Sequence, residues 1–371
     1  MEFTAGFTLV GGGTFVAPLP PPPPVYLWAW GNNSNGNLGD GTTINRYSPV
    51  QIGALTTWAK IDAGGNHTMA IKTDGTIWTW GLNNSGRLGL GNTTSYSSPK
   101  QVGALTTWSN IDAGGENSLA IKTDGTMWAW GRNNEGQLGL GNVTNYSSPV
   151  QVGALTTWLS IAVAVFHSMA VKTDGTMWAW GNNFNGQLGL GDTTNRSSPV
   201  QIGSLTTWSS IDAGYYHSAA IKTDGTMWSW GRNSYGQLGH GNTTDRSSPN
   251  QIGSLTTWSK ITGKYDHIMA IKTDGTVWSW GNGADGRLGL GDTTTRSSPV
   301  QIGVLTTWLS VSAGAYHSQA IKTDGTLWAW GSAGVGATGL GFSNFSSPKQ
   351  VGALTNWLRV SAGSSHSIAI G

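Results

Sequence analysis

Apolar and polar positions recur along the chain with a period of 50 residues, marked most clearly by the motif Trp-Xaa-Trp-Gly. The first tryptophan of this motif occurs at Trp28, Trp78, Trp128, Trp178, Trp228, Trp278 and Trp328. A third tryptophan, such as Trp208, occurs once in each unit, so all 21 tryptophans occupy three repeat positions. A residue that returns at a fixed period serves the packing that all units share. We therefore interpret the tryptophans as architectural.

Within the unit that covers residues 174–224, short apolar runs bounded by turn residues predict four strands. The predicted strands are Met177 to Trp180, Pro199 to Ile202, Trp208 to Ile211 and His217 to Ile221. An Asp-Gly pair between two apolar runs, such as Asp224-Gly225, is typical of a tight β-hairpin. The strands on either side of this pair are therefore expected to be neighbours in one sheet.

The two ends of the chain each carry part of a unit. The repeats begin with a strand over Val25 to Trp30 that lacks its hairpin partner, and they end with His366 to Ile370, which no strand follows. The two segments complete a unit when they pair with each other. A four-stranded unit cannot bury both of its faces alone, and a closed ring protects the sheet edges. The sequence predicts an all-β fold, a seven-bladed β-propeller of four-stranded blades closed by the N- and C-terminal strands.

A repeat of about 50 residues also occurs in kelch propellers. The type of propeller must therefore be identified from the sequence motif within the repeat. The quoted unit contains Gly-Asn-Asn-Phe-Asn-Gly-Gln-Leu-Gly-Leu-Gly over residues 181–191, Pro199, and Ala-Gly-Tyr-Tyr-His-Ser over residues 213–218. This pattern closely resembles the regulator-of-chromosome-condensation repeat. The resemblance extends over residues 25–371, seven times, and implies a propeller of that type.

The resemblance also implies functions that need features outside the bare repeat. Exchange factors of this family act on a small GTPase through a wedge-like insertion, and chromatin binding uses a basic tail. Here the regular spacing leaves no insertion, and residues 1–24 contain no Lys or Arg. A GTPase exchange factor is therefore the least favoured function. The loop face described below is similar in kind to that of the secreted β-lactamase-inhibitor propeller, which presents aromatic loops to its target enzyme.

Composition and motifs argue against several other functions. The net charge is only +2, charged residues make up 10% of the chain, and no basic stripe suited to nucleic acid is present. No apolar run is long enough to span a membrane. No catalytic, phosphate-binding or zinc motif is found, so we expect no enzyme activity and no cofactor. Histidine fills one repeat position in six units, which predicts structural hydrogen bonds rather than a metal site.

Loop parity identifies the face that differs between units. The Thr-Asp-Gly turns and Leu-Thr-Thr connections lie on one face and are nearly identical, whereas the loops of the other face vary and carry clustered aromatics. The predicted partner-binding residues are Phe166, Phe184, Tyr215, Tyr216, Arg232, Tyr235, Tyr265, Asp266 and Tyr316. Aromatic anchors near an arginine are typical of protein interfaces and of sugar-stacking surfaces. The alternative is that these side chains only roof the central channel.

The segment before the repeats has a different character. Residues 1–17 are apolar and Gly-rich and are interpreted as an anchor that adds a strand to another structural protein. The candidate anchor residues are Phe3, Phe7, Leu9, Val10 and Phe15. Residues 18–24 form a polyproline spacer, stiff over about 15 Å. This layout resembles that of phage decoration or fibre proteins.

Two classes of function follow. The leading hypothesis is a non-enzymatic structural module on a virion or cell surface, attached through residues 1–17 and presenting the propeller formed by residues 25–371. The alternative is a recognition or inhibitor module that binds a protein or glycan through the variable aromatic face. The sequence leaves a cytoplasmic location open.

Overall fold

Seven four-stranded antiparallel sheets surround a central channel in the computed structural model, which describes residues 25–371. In every blade the strands are ordered from A at the channel to D at the outer edge. The last blade takes its C and D strands from the start of the chain, namely β1 (Leu27–Gly31) and β2 (Arg46–Gln51). The prediction of a seven-bladed propeller of four-stranded blades is confirmed.

The other strands follow in chain order, four to a blade. Blade 1 contains β3 (Trp58–Ala63), β4 (His67–Lys72), β5 (Ile77–Gly81) and β6 (Tyr96–Gln101). Blade 2 contains β7 (Trp108–Ala113), β8 (Asn117–Lys122), β9 (Met127–Gly131) and β10 (Tyr146–Gln151). Blade 3 contains β11 (Trp158–Val163), β12 (His167–Lys172), β13 (Met177–Gly181) and β14 (Arg196–Gln201). Blade 4 contains β15 (Trp208–Ala213), β16 (His217–Lys222), β17 (Met227–Gly231) and β18 (Arg246–Gln251).

The remaining blades complete the ring. Blade 5 contains β19 (Trp258–Lys264), β20 (His267–Lys272), β21 (Val277–Gly281) and β22 (Arg296–Gln301), with a 3₁₀ turn at Ala284–Gly286 between the last two. Blade 6 contains β23 (Trp308–Ala313), β24 (His317–Lys322), β25 (Leu327–Gly331) and β26 (Phe345–Gln350). Blade 7 adds β27 (Arg359–Ala362) and β28 (His366–Ile370). Among residues 25–371, no helix is long and apolar enough to cross a membrane.

Pairing of the chain ends closes the ring as predicted. β1 and β28 are antiparallel, with Leu27 opposite Ile370 and Gly31 opposite His366. Leu27, Ile368 and Ile370 are buried in one cluster that also contains Trp80 of blade 1. The closing strands therefore contribute to the core between blades 7 and 1 as well as to a sheet.

The predicted D strand of the quoted unit was wrong in its bounds. It was placed at Pro199 to Ile202, whereas β14 begins three residues earlier, at Arg196, and ends at Gln201. Arg196 pairs with Gly181 across a register shift, which brings polar residues into the strand. Proline is tolerated here because D is an edge strand and one of its sides needs no N–H donor. The other three strands extend one or two residues beyond their predicted ends.

The tryptophans fill the space between neighbouring blades. The second tryptophan of each motif is fully buried, and Trp230 packs with Met177, Leu188 and Ile202 of the preceding blade. Its indole N–H donates to the carbonyl of Gln187 at 2.8 Å, so burial leaves no donor unpaired. The third tryptophan, such as Trp208, packs edge-on against both motif tryptophans of its own blade.

The lysine before each Thr-Asp-Gly turn has a role that the sequence did not indicate. Lys172 Nζ lies 3.6 Å from the ring centre of Trp178 and 5.0 Å from that of Trp158. This geometry is a cation–π contact with two rings, and the equivalent lysines of blades 1 to 6 repeat it.

Candidate functional site

The two ends of the ring carry different sets of loops. At the end called here the top face, the A–B turns meet the long C–D loops, and the N–H of Leu82 donates to the carbonyl of Asn66 at 2.8 Å. At the bottom face the B–C turns meet the D–A connections, where the N–H of Trp108 donates to the carbonyl of Gly75 at 3.2 Å. This is the arrangement that strand parity predicts. The variable loops are therefore those of the top face.

Five aromatic rings form a continuous ridge on the top face, across blades 3 to 6. Phe166 stacks on Tyr216 with 5.3 Å between ring centres, and meets the edge of Tyr215 at 5.2 Å. Tyr265 lies 4.7 Å from Tyr215 and 5.6 Å from Tyr316. We call these five residues the aromatic ridge. The sequence predicted all five, and the structure brings them into one contiguous cluster.

Three arginines flank the aromatic ridge at cation–π distance. The guanidinium carbon of Arg232 lies 5.8 Å from the ring centre of Tyr216, that of Arg132 lies 5.5 Å from Phe166, and that of Arg287 lies 5.1 Å from Tyr316. Only Arg232 was predicted. Arg132 occupies the same repeat position as Arg232, directly after Trp-Gly, so the repeat alignment contained the signal for it. Arg287 occupies a repeat position that holds asparagine, glutamine or alanine in five units and arginine again at Arg87, which is a weaker signal.

The arginines differ in how their charge is balanced. Arg132 lies 3.2 Å from the carboxylate of Glu116, and Arg287 lies 2.9 Å from that of Asp285. Arg232 has no ion pair within the described part of the chain, and its Nε donates to Ser234 at 3.0 Å. The two end arginines of the ridge are therefore in ion pairs, with Glu116 shared between Arg132 and Arg87, whereas Arg232 in the middle has no ion pair among the described residues.

The hydroxyl groups of Tyr215 and Tyr265 in the aromatic ridge are neutral hydrogen-bonding groups at physiological pH. Burial raises the pKa of Tyr215 to about 12, and the neighbouring Tyr216 and Tyr265 add to the shift. Burial likewise raises the pKa of Tyr265. A tyrosine that stays protonated can donate a hydrogen bond. The ridge therefore combines apolar ring faces with hydroxyl and guanidinium donors.

Blade 5 departs from the repeat where it joins the ridge. Its A strand continues to Lys264, which stands where blade 4 has Gly214, and Tyr265 then takes a positive φ of 53°. Lys264 Nζ crosses the channel and donates to the carbonyls of Ala63 at 2.6 Å and Ala362 at 3.2 Å. This tether fixes the A–B turn that carries Tyr265. The sequence analysis did not identify Lys264 as a functional residue, although it is a lysine at a repeat position that holds glycine in most other units.

Asp266 follows Tyr265 and is the one predicted acidic site residue. Burial raises the pKa of its carboxyl group, while the charges of Arg232 and Arg287 act in the opposite direction. Its Oδ1 is buried and has no hydrogen-bond partner. Asp266 thus leaves an unused acceptor beside the aromatic ridge.

Two predicted residues, Phe184 and Tyr235, do not join the ridge. Both lie on C–D loops of the top face, with exposed fractions of 70% and 38%. Neither makes an aromatic contact with another ring of the part of the chain that the structure describes. The candidate anchor residues, from Phe3 to Phe15, fall in residues 1–24 and so lie outside the described residues.

The histidines at the start of the B strands form hydrogen bonds between blades, as predicted. His167 Nε2 lies 2.8 Å from Ser218 Oγ of the next blade. His217 is an exception, because Ile268 replaces the serine and both ring nitrogens remain unpaired. Burial lowers the pKa of His167 to about 3 and that of His217 to about 4. These rings are therefore neutral and structural.

The central channel is lined by short polar side chains of the A strands. Asp212 Oδ2 accepts a hydrogen bond from the N–H of Gly263 at 2.8 Å, and Asp62 Oδ2 accepts one from Ala113 at 2.6 Å. Burial raises the pKa of Asp212 to about 6, and burial together with the neighbouring Asp62 raises that of Asp112. Within residues 25–371, no group of three or more histidine or acidic side chains is arranged to hold a metal ion. The channel carboxylates thus join blades.

Known structures show the same fold. The chain superimposes on Prp20p from Saccharomyces cerevisiae with a TM-score of 0.84 and 23% identity, over 94% of this chain and 91% of that one. Human WBSCR16 gives a TM-score of 0.85 with 19% identity, over 94% of this chain and 98% of that one. At these identities the likeness concerns the fold. No curated protein sequence matches the chain.

A family model matches the chain seven times. It is the model of the regulator of chromosome condensation (RCC1) repeat, and it covers residues 26–71, 74–121, 124–171, 174–221, 224–271, 274–321 and 324–370. A second model of the same repeat matches six segments between residues 58 and 336. The matches cover nearly all of the propeller, and each spans the C and D strands of one blade and the A and B strands of the next. The chain belongs to the RCC1 repeat family.

Proposed function

We propose that this propeller is a non-enzymatic binding module that recognises a protein or glycan through the aromatic ridge. One observation carries the proposal: the five rings from Phe166 to Tyr316 form an unbroken surface on four consecutive blades of the variable face. The loops of the opposite face are nearly identical from blade to blade. An asymmetric partner needs an asymmetric surface, and the ridge supplies one.

The physical character of the ridge fits binding. Tyrosine offers a large contact area at a small cost in side-chain entropy, and it is enriched with arginine among the residues that dominate binding energies. The rings hold each other in place, so little further ordering is needed when a partner docks. Tyr316 is 42% exposed, and the other four rings are partly exposed.

Similar structures support a binding role. The structure of Prp20p is described together with its binding properties to Gsp1p and histones, and the same yeast protein is described bound to Kap60. These partners belong to that protein. What the likeness supports for this chain is the coarser statement that an RCC1-type propeller serves as a scaffold for binding.

Replacing Tyr215 and Tyr316 with alanine tests the proposal. Partners captured by the full chain from the source lysate, and glycans bound on an array, are measured again with the purified variant. We expect affinity to fall at least tenfold, since two anchor side chains are removed. The matched control replaces Tyr47 and Phe342, a ring pair 4.1 Å apart outside the ridge, and should bind normally. Equal binding by both variants would contradict the proposal.

A second candidate role is attachment through residues 1–17, and one observation supports it. Val25 forms a bridge with Thr57, which belongs to a D–A connection of the bottom face. Val25, the first residue that the structure describes, therefore lies at the face opposite to the aromatic ridge. This polarity suits a head that is anchored at one end and presents its variable face at the other, on a virion or cell surface.

Deletion of residues 1–24 tests this attachment. The shortened chain keeps every strand of the ring, so its thermal unfolding should match that of the full chain. We expect it to be lost from the parent particle or cell surface, as measured by immunoblotting of purified particles. Normal incorporation would reject the anchor and leave the ridge as the functional element.

A further inference from the structure

We propose that the aromatic ridge of one copy binds the proline run Pro20 to Pro24 of a second copy, so that the protein assembles head to tail. This inference rests on the proposed function, because it names a partner for the same ridge. It joins two features of the chain: a row of tyrosines on one face, and a row of five prolines that directly precedes Val25 at the opposite face.

The chemistry of the two elements matches. A run of prolines favours the polyproline II helix, which is formed before binding and therefore loses little entropy. Aromatic-lined surfaces are the usual receptors for such helices. The carbonyl groups of a polyproline helix have no internal partners, and the hydroxyls of Tyr215 and Tyr265 and the free guanidinium of Arg232 can donate to them.

The lengths match as well. From Phe166 through Tyr215 and Tyr265 to Tyr316, the ring centres are separated by 5.2, 4.7 and 5.6 Å. The path through these ring centres is thus about 15 Å, which is the upper limit for the length of the ridge, and five residues of polyproline helix at about 3.1 Å each span about 15 Å. The proline run is also uncharged, which suits a ridge whose end arginines are already paired with Glu116 and Asp285.

Geometry directs the contact to a second copy. Pro24 is adjacent to Val25, which is held at the bottom face by its bridge to Thr57. Strands such as β1 separate the two faces, and a five-residue strand spans about 16 Å. A run that begins beside Val25 therefore cannot also lie along the ridge of its own chain. The surfaces that meet are different on the two copies, so the contact generates open chains or rings rather than a closed twofold dimer.

Sedimentation velocity of the full chain tests the assembly. We expect the mass to increase with concentration beyond the 38.9 kDa of one copy. Two variants should remain monomeric: a tail variant with Pro21, Pro22 and Pro23 replaced by serine, and a ridge variant with Tyr215→Ala and Tyr316→Ala. The variant with Tyr47→Ala and Phe342→Ala should assemble like the original chain.

Mixing the two monomeric variants gives the sharpest result. The tail variant keeps its ridge and the ridge variant keeps its prolines, so they should form a one-to-one dimer that grows no further. A peptide of residues 17–25 should bind the tail variant, which keeps the test valid if the ridge variant fails to fold. A monomeric full chain, or assembly that survives in either variant, would overturn the inference.

The outcome also separates this inference from the proposed function. If the full chain stays monomeric but the ridge variant loses a different protein or glycan, self-assembly is wrong and the binding role stands. If the ridge variant changes neither property, both are wrong.

Discussion

At the scale of single residues, burial of neutral histidines sets how the protein responds to acid. Six of the seven blades place a histidine at the start of the B strand, in the interior between neighbouring blades. Burial lowers the pKa of each, for example to about 3 in His317 and His366. The folded chain therefore holds these rings without protons under conditions in which the unfolded chain would bind them.

The sign of the pH dependence follows from these shifts. A base whose pKa is depressed on folding adds stability that is complete above its unfolded value near 6.5 and is lost as pH falls towards the folded value. Three buried carboxyl groups with a raised pKa act in the opposite direction and lose stability as pH rises: Asp212, whose pKa is about 6, Asp112 and Asp266. The six histidines outnumber these three groups. We expect the free energy of unfolding to fall steeply between pH 6.5 and about 4.

The contribution of a single histidine to the pH dependence of stability can be measured at His217. Because its ring nitrogens have no partners, replacing it with the asparagine that blade 2 carries at Asn117 breaks no hydrogen bond. We expect His217→Asn to reduce the pH slope of stability by about 1 kcal/mol per pH unit between pH 4.5 and 6. Urea unfolding at a series of pH values measures the slope. Above pH 7.5 the two slopes should agree, and a difference there would contradict the assignment.

At the scale of elements, the C–D loop of each blade packs against the next blade and passes very close to one of its tryptophans. Gly189 follows Leu188 in the C–D loop of blade 3 and has a φ of +73°. A Cβ atom there would lie 2.7 Å from Nε1 of Trp230 in blade 4. The same approach recurs at the other blade junctions. Glycine is therefore required at this position both by the backbone angle and by the neighbouring indole.

Gly203 provides a matched comparison for Gly189. It also has a positive φ, of +60°, but a Cβ atom there would meet nothing within 4 Å. We expect Gly203→Ala to cost about 1 kcal/mol from backbone strain alone. Gly189→Ala should cost several times more, because the indole must move and its hydrogen bond to Gln187 is disturbed. Thermal unfolding compares the two, and equal losses would show that the close approach does not matter.

What the sequence predicts well is what every unit repeats. Strand number, ring size and closure follow from the tryptophan period and the Asp-Gly turns, because each unit solves the same packing problem. Parity also assigned the aromatic loops to one face. It gave no distances within that face, so Phe184 and Tyr235 were grouped with rings that they do not touch. Lys264 and Arg132 contact residues of other blades. Contacts between blades depend on the three-dimensional arrangement, which the repeat pattern does not give.

At the scale of the whole molecule, one blade closes the ring with strands from both ends of the chain. Blade 7 pairs Ala29 of β1 with Ile368 of β28, and blade 3 pairs Ala179 with Met169 at the equivalent position. The local contacts are alike. The lengths of chain between the partners differ, at about 340 residues in blade 7 and about 10 in blade 3. Ring closure therefore carries an entropy cost in blade 7 that the other blades do not have.

A pair of disulfides measures that cost, since the chain contains no other cysteine. One variant carries Ala29→Cys and Ile368→Cys, and its control carries Met169→Cys and Ala179→Cys. In each, the free energy of unfolding is compared between the oxidised and reduced forms, so the effect of the substitutions cancels. The chain-entropy relation predicts that oxidation stabilises blade 7 by about 3 kcal/mol more than blade 3. Equal gains would mean that the ends of the chain stay associated after unfolding, and that closure is not the costly step in forming the ring.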